Sequence, residues 1–179
     1  DMISRIAKQK KLKIIEDGCL ALGAKNNRKS VGSFGDAAIF SFGTLKPMQA
    51  GEGGIITVQD EGLAKELRSL RLWGDRSSQF GVRDQITPAW NGRISEIVVA
   101  VLIEQLKGYP KFLQEIQFNA FYFVENLKKY DGIEYLFQDR PATASAFTQV
   151  AVSIDEKKIG LRKSELMKKL ADRGHYVWH

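Results

Sequence analysis

The chain has 179 residues, of which 44% are hydrophobic, 27% charged and 10% aromatic. That is enough apolar material for a buried core, spread too evenly along the chain for intrinsic disorder. The apolar runs, such as residues 97–103, are far too short to cross a bilayer. No basic-then-apolar leader opens the sequence, and a cytoplasmic protein is expected. A single cysteine, Cys19, excludes an intrachain disulfide framework and a cysteine-based zinc cluster. The net charge of +6 comes from scattered basic residues with one local cluster, Lys8, Lys10, Lys11 and Lys13. That cluster reads as a solvated helix end facing the negative pole of the helix dipole, not as a nucleic-acid surface. An anionic small molecule suits the same charge.

In chain order, residues 2–11 place Ile3 and Ile6 at helical spacing and then turn wholly basic, as the last turns of a helix do. Residues 12–15 form a short apolar run that reads as a buried strand delivering Glu16 and Asp17 at its carboxyl end, the edge where ligands sit in open α/β sheets. Residues 25–30 are polar and read as a surface loop. Strands are expected over 37–42 and 54–58 with a loop between them, then a helix over 61–72 with Leu63, Leu67 and Leu70 on one face. Residues 74–90 lack a period and read as a long functional loop.

Residues 94–106 are apolar on nearly every side, so a helix buried in the protein or against a partner is expected. Pro110 suits the start of a second helix reaching Tyr130, with Leu113, Ile116, Ala120, Val124 and Leu127 as its inward stripe. Short strands over 133–137 and 147–154 and a helix over 162–173 ending at Gly174 complete the pattern. This order predicts a βα-rich unit over 1–109, a connecting helix over 110–130 and a small α+β unit over 131–179. Both ends are abrupt, and the chain is expected to be the middle of a longer protein. Three other readings are bland: Cys19 as a small buried hydrophobe, the aromatic run 118–123 as core, and His175 and His179, without nearby acids, as poor metal ligands.

Three local patterns bear on chemistry. In Ile14-Ile15-Glu16-Asp17-Gly18, the aspartate is either a helix cap or surface charge, or a rigid acceptor for a protonated ring nitrogen. In Phe40-Ser41-Phe42-Gly43-Thr44-Leu45-Lys46, a strand ends at a hydroxyl and a lysine follows a short turn. That lysine is either solvated or desolvated by Phe40, Phe42 and Leu45, which would free its amine to attack an aldehyde. Gly51-Glu52-Gly53-Gly54 matches neither the dinucleotide fingerprint nor the P-loop, and reads as a conformationally demanding turn beside Lys46.

Taken in order and spacing, these segments resemble the DegT/DnrJ/EryC1/StrS aminotransferases. The carriers are Ile14-Ile15-Glu16-Asp17, Val31-Gly32-Ser33-Phe34-Gly35-Asp36, Phe40-Ser41-Phe42 with Lys46, Gly51-Glu52-Gly53-Gly54 and Asn91-Gly92-Arg93-Ile94-Ser95-Glu96. The resemblance implies the type I pyridoxal-phosphate fold: part of a large mixed-sheet α/β domain, then most of a small α+β domain. It implies that Lys46 holds the cofactor as an aldimine and shuttles protons, that Asp17 pairs with the pyridine nitrogen, and that Ser41 donates to the cofactor phosphate. Asn91 would reach the phosphate in a neighbouring subunit, making a homodimer with a shared active site. Arg93 would be structural or an anion contact for phosphate or substrate.

The implied reaction moves an amino group from an amino acid, glutamate in this family, to a nucleotide-linked keto sugar. Two departures stand out. Leu20 occupies the position, three residues after the aspartate, where the family usually has Gln or His, and Gly43-Thr44-Leu45 replaces its His-Pro-Thr. Other readings are a pyridoxal-phosphate-dependent sugar dehydratase and a non-catalytic sugar-nucleotide or cofactor binder. Lys46 argues against the known dehydratase variation, in which histidine replaces the lysine, and Leu20 favours the binder.

Overall fold

A computed structural model describes residues 2–75, 88–136, 143–175 and 177–178. The chain divides into two compact units, Asp1–Leu113 with Pro141–Thr148, and Gln114–Arg140 with Gln149–His179. The first unit begins with α1 (Met2–Lys10), whose last turn carries Lys8 and Lys10 where cations favour the helix dipole. Its main sheet has three strands in the order β1 (Ile15–Asp17), β4 (Ala37–Ser41), β5 (Gly54–Val58). β1 runs parallel to β4, with Asp17 opposite Ile39, and β5 runs antiparallel to β4, with Gly54 opposite Ser41. The sheet is therefore mixed, and the carboxyl ends of β1 and β4 lie side by side.

The first strand starts at Ile15, not Leu12, so Glu16 and Asp17 belong to the strand instead of following it. Backbone pairing decides this: Ile14 contributes its carbonyl to the amides of Asp36 and Ala37, and the ladder proper opens one residue later. Residues 25–30 are not a loop throughout. Lys25–Asn26 (β2) and Lys29–Ser30 (β3) form a small antiparallel pair. Asn27 and Arg28 between them have φ of 49° and 64°, the two left-handed residues that a type I′ hairpin needs. Polarity alone hid this pair, since neither strand has an apolar face.

α2 (Glu61–Arg71) starts where Asp60 accepts from the Leu63 amide at 2.6 Å, an N-cap that satisfies an otherwise orphan donor. α3 runs unbroken from Glu96 to Leu127, so the two helices expected on either side of Pro110 are one. Proline deletes one helical N–H and leaves the Leu106 carbonyl without its usual partner. Leu106 and Pro110 are both exposed, which leaves that carbonyl on the solvent side of the helix.

The core of the first unit joins Phe42 and Met48, from the end of β4 and its following loop, to Leu102 and Tyr109 of α3. Leu22, Ala50, Ile94, Val98 and Leu113 pack around them. The expected burial of residues 94–106 thus holds for one face. The other face, including Ile97 at 79% exposure, stands open together with Val101, Ile103 and Leu106. The Tyr109 hydroxyl donates to the Leu22 carbonyl at 2.9 Å, and burial pushes its pKa up. Ala144 pairs with Lys25 through both amides, and the Thr148 hydroxyl donates to the Leu20 carbonyl, so residues 144–148 fold back onto the loop after β1.

In the second unit, α3 contributes residues 114–127, with Ala120 and Val124 buried. The expected stripe of Leu113, Ile116, Ala120, Val124 and Leu127 is the buried or half-buried one, whereas Phe118, Phe121, Tyr122 and Phe123 are exposed. Helical periodicity explains the correction: a run of adjacent aromatics cannot share one face at 3.6 residues per turn. β6 (Ile133–Tyr135) pairs antiparallel with β7 (Val152–Ile154), followed by α4 (Glu156–Ile159) and α5 (Lys163–Ala171).

The strand expected over 147–154 is shorter, Val152–Ile154, and Phe147, at its expected start, is left-handed at φ 47°. Phe137, at the end of the other expected strand, lies outside the described residues. α4 escaped the sequence reading because four residues carry no usable period. Gly174, at φ 82°, follows α5 as expected, with the His175 amide reaching back to the Leu170 carbonyl. No helix among the described residues is long and apolar enough to cross a membrane.

Tyr109→Phe keeps the ring and removes only the donor to Leu22, leaving a carbonyl short of a partner. It should lower the folding free energy by about 1 kcal/mol, read from urea unfolding, with the slope unchanged.

Candidate active site

The local construction begins with Glu16. Its carboxylate accepts three backbone amides from one loop, Gly32 at 2.8 Å, Phe34 at 2.6 Å and Gly35 at 2.7 Å. Burial of the carboxyl works to raise its pKa, but the amides of Gly32, Gly35 and Phe34 outweigh this, and it stays below its ordinary value. Asp36 ends the same loop and accepts from the Ile14 amide at 2.9 Å, with Lys13 Nζ on its other oxygen at 2.9 Å. The strand bearing Asp17 is thus laced to the segment that leads into β4.

Packing reinforces the lacing. A methyl on Gly18 would sit 2.5 Å from the Phe40 ring, and one on Gly32, at φ 93°, would sit 2.7 Å from it. The buried Phe40 ring therefore lies against two backbones that only glycine can bring so close.

Asp17 sits at the exposed end of β1, and its Oδ1 accepts from the Cys19 amide at 3.0 Å. A hydrogen bond from the Cys19 thiol and another from the same residue's amide hold the Asp17 carboxyl below its usual range against the opposing effect of burial, with a lesser contribution from the positive charge of Lys46. The bond to Asp17, together with burial and the aspartate's charge, raises the Cys19 thiol, and Lys46 pulls it back. Cys19 is half-buried and bonded, a polar partner of Asp17 and not the inert hydrophobe expected.

Lys46 closes the turn after β4, its amide donating to the Gly43 carbonyl at 3.0 Å, and its side chain is half-buried. Phe40 and Phe42 are buried in packing of their own, while Leu45 is 73% exposed and adds nothing to the apolar sleeve expected around the lysine. The loop beyond is pinned to α3 by one side chain: Gln105 accepts from the Gln49 amide at 3.0 Å and donates to the Gln49 carbonyl at 2.6 Å. The glycine turn is as demanding as its composition suggested, with Gly51 at φ 86° and Gly53 at φ 135°. Gly53 lies so close to Ile94 that a methyl there would meet Cδ1 at 2.6 Å.

Ser41 is the last residue of β4, and its Oγ accepts from the Gly43 amide at 3.3 Å, which leaves the hydroxyl hydrogen to donate elsewhere. Asn91 and Arg93 stand at a second place. Asn91 bridges Leu72, and its Oδ1 accepts from Arg93 Nε at 3.1 Å. The Arg93 guanidinium lies over the Trp73 ring at 4.6 Å. Among the described residues no hydrogen bond or ion pair joins this pair to Asp17, Ser41 or Lys46. Most of the long loop expected over 74–90, residues 76–87, lies outside the described residues. Leu20 is 51% exposed, with its carbonyl taken by Thr148. No group of three or more potential metal-ligating side chains occurs among the described residues.

Sequence reasoning missed Glu16 as the organiser, although a carboxylate next to Asp17 and a glycine-rich segment downstream were both in view. It also missed Gln105, whose only signal was a polar residue within an apolar helix.

An ionised carboxylate and a hydroxyl thus stand at adjoining strand ends of the mixed sheet, with a lysine in the following turn within electrostatic reach of the carboxylate. Several known proteins are similar to this chain in sequence and fold. The chain is 34% identical over 115 residues to a UDP-4-amino-4,6-dideoxy-N-acetyl-beta-L-altrosamine transaminase of Campylobacter jejuni, a match covering 64% of this chain and 31% of that protein. Its fold matches a DegT DnrJ EryC1 StrS aminotransferase from Brucella abortus with a TM-score of 0.84 and 28% identity, over 96% of this chain and 43% of that one. It also matches an E. coli GDP-4-keto-6-deoxy-D-mannose-3-dehydratase with bound hydrated PLP, with a TM-score of 0.83 and 25% identity, over 96% and 47%. The profile of the DegT/DnrJ/EryC1/StrS aminotransferase family covers residues 1–177, and the chain belongs to that family. It spans about a third of the length of the curated relatives it matches.

Glu16→Gln keeps the shape but turns part of an acceptor into a donor facing three amides. It should cost about 1–3 kcal/mol of stability near neutral pH. Because the folded pKa of Glu16 is depressed, its stabilisation is complete above the unfolded carboxylate value and is lost as pH falls through the folded one. The gap between the two proteins in urea melts should therefore narrow towards about pH 3. An equal gap at both pH values would show that the charge of Glu16 is immaterial.

Proposed function

We propose that the protein is a pyridoxal-phosphate-dependent aminotransferase that moves an amino group from an amino acid, glutamate, to a nucleotide-linked keto sugar in the cytoplasm. The observation that carries this reading is the placing of an ionised Asp17 at the carboxyl end of β1, beside the end of β4 that bears the Ser41 hydroxyl, with Lys46 in the following turn close enough for its charge to act on Asp17. The three groups fit the cofactor by their chemistry: an amine for its aldehyde, an anion for its protonated ring nitrogen and a donor for its phosphate. When bound, pyridoxal phosphate supplies an electron-withdrawing ring that takes up the charge left at carbon as a proton departs.

The remaining work falls to this chain. Asp17 is kept anionic by donors from Cys19, so it favours a proton on the atom it faces, and the rigidity of the β1–β4 ladder fixes where it points. Lys46 Nζ is the amine that would hold the cofactor through its aldehyde and, when free, would serve as the base that takes and returns the proton. The Gln105 clamp on Gln49 and the turn closed at Gly43 confine the lysine's loop, which favours a reproducible reach. Ser41 would donate its hydroxyl hydrogen to the cofactor phosphate, and Asn91 would donate its amide to the phosphate of a cofactor on a neighbouring subunit, which would make the working unit a homodimer.

The likeness to a sugar dehydratase keeps a second reading in play, in which the same sugar loses a hydroxyl and gains no nitrogen. Isotopically labelled glutamate separates the two, since only the aminotransferase places label in the sugar. Borohydride reduction of the intact protein with pyridoxal phosphate, followed by peptide mapping, should fix the cofactor on Lys46. Lys46→Ala should abolish that adduct and lower amino transfer by at least about 10²-fold while the urea melt stays close to that of the parent. Transfer retained in Lys46→Ala would refute the role of the lysine.

A further inference from the structure

The pair at Asn91 and Arg93 raises a question that the lysine site does not answer: which of the two faces an anion. A guanidinium carries only donors, so whatever part of Asn91 meets Arg93 has to be the amide oxygen. The structure places Oδ1 there, 3.1 Å from Arg93 Nε and 3.4 Å from the Arg93 backbone amide, the side-chain bond being the shorter. The orientation of the amide is therefore fixed by chemistry, and the Nδ2 group with its two N–H donors is the end turned away from Arg93.

Arg93 itself is held from another side. Its guanidinium lies over Trp73 at 4.6 Å, where the ring's negative face attracts it. The backbone around both residues is tied down. The Asn91–Leu72 bridge, the Gly92 amide on the Arg71 carbonyl at 2.9 Å and the Trp73 amide on the Trp90 carbonyl at 3.1 Å join the segment before α3 to the end of α2. The side chain is thus held from two sides, by the indole face and by its Nε bond to the Asn91 carboxamide.

We infer that Arg93 is a positioning residue for Asn91: it locks the carboxamide with Nδ2 outward as an anion donor, and is not itself the anion contact. The inference rests on the reading that Asn91 serves a cofactor phosphate. It replaces the two roles left open for Arg93 with one.

A double-mutant cycle on cofactor affinity tests it in the intact protein, with pyridoxal, which lacks the phosphate, as the control ligand. Asn91→Ala should weaken pyridoxal phosphate binding about tenfold, the worth of a charge-assisted hydrogen bond. Arg93→Ala should weaken it by about threefold or more when Asn91 is present and by less than about 1.5-fold when Asn91 is already alanine, because an orienting residue has nothing left to orient. Pyridoxal affinity should stay within about twofold throughout. Arg93→Lys keeps the charge but has no donor at the Nε position, so it should behave as Arg93→Ala.

An undiminished loss from Arg93→Ala in the Asn91→Ala background, or rescue by Arg93→Lys, would make Arg93 a direct anion contact and overturn the inference. A second readout needs no cofactor. Solvent exchange of the Arg93 Nε–H, followed by nitrogen-15 NMR, should be several-fold slower in the parent than in Asn91→Ala, and equal rates would also overturn it. If the parent protein binds no pyridoxal phosphate and Lys46 takes no label, the cofactor reading fails. The exchange measurement then still decides whether Arg93 orients Asn91.

Discussion

A single carboxylate organises the region that carries the chemistry. Glu16 gathers three amides of the 32–35 loop, and in doing so fixes both the strand that presents Asp17 and the entry into the strand that ends at Ser41. Backbone amides in a tight loop need acceptors, and an ionised oxygen serves several at once where a neutral carbonyl serves fewer. The arrangement is mutual: the loop holds the charge of Glu16, and Glu16 holds the shape of the loop. Phe40, seated against Gly18 and Gly32, fills the space between them.

Outward from this centre, positioning relies on short polar links more than on apolar burial. The apolar cluster between the loop after β4 and α3 is small among the described residues, four buried side chains with a partly buried fringe. The groups near the strand ends are instead set by Cys19 on Asp17, Gly43 on Ser41 and Gln105 on Gln49. Directed hydrogen bonds fix angles as well as distances, which packing alone does less well. The second unit is separate in character, a two-stranded pair with surface ion pairs such as Lys158 with Asp131 at 2.8 Å. Pairs so exposed contribute little to stability.

Legibility in the sequence followed the physical origin of each feature. The strands around Ala37–Ser41 and Gly54–Val58 and the helix Glu61–Arg71 were readable because apolar spacing encodes them directly. The grouping of Asp17, Ser41 and Lys46 was suggested by the resemblance of the ordered motifs to a known family and not by the local pattern around any one of them. What escaped depended on contacts between remote positions. Gln105 and Gln49 are 56 residues apart, and Thr148 finds Leu20 across 128, with no local pattern to announce either. The hairpin at Lys25–Ser30 was hidden because its turn uses Asn27 and Arg28 in left-handed geometry, where an Asn-Gly pair would have signalled it. The continuity of α3 through Pro110 shows a third kind of gap, since the local cost of a proline is outweighed by packing on both sides of it, at Tyr109 and Leu113.

The clamp between Gln105 and Gln49 has a consequence for how the molecule breathes. Gln105 stands one turn beyond Leu102 and one turn before Tyr109 on α3, the two helix residues buried in the core. The loop after Lys46 is therefore hooked to a stretch of that helix seated in the core at both ends. Deuterium uptake at the Gln49 amide should report the opening of the helix and not the fraying of a surface loop. The segment that bears the lysine thus shares the slow clock of the protein's interior.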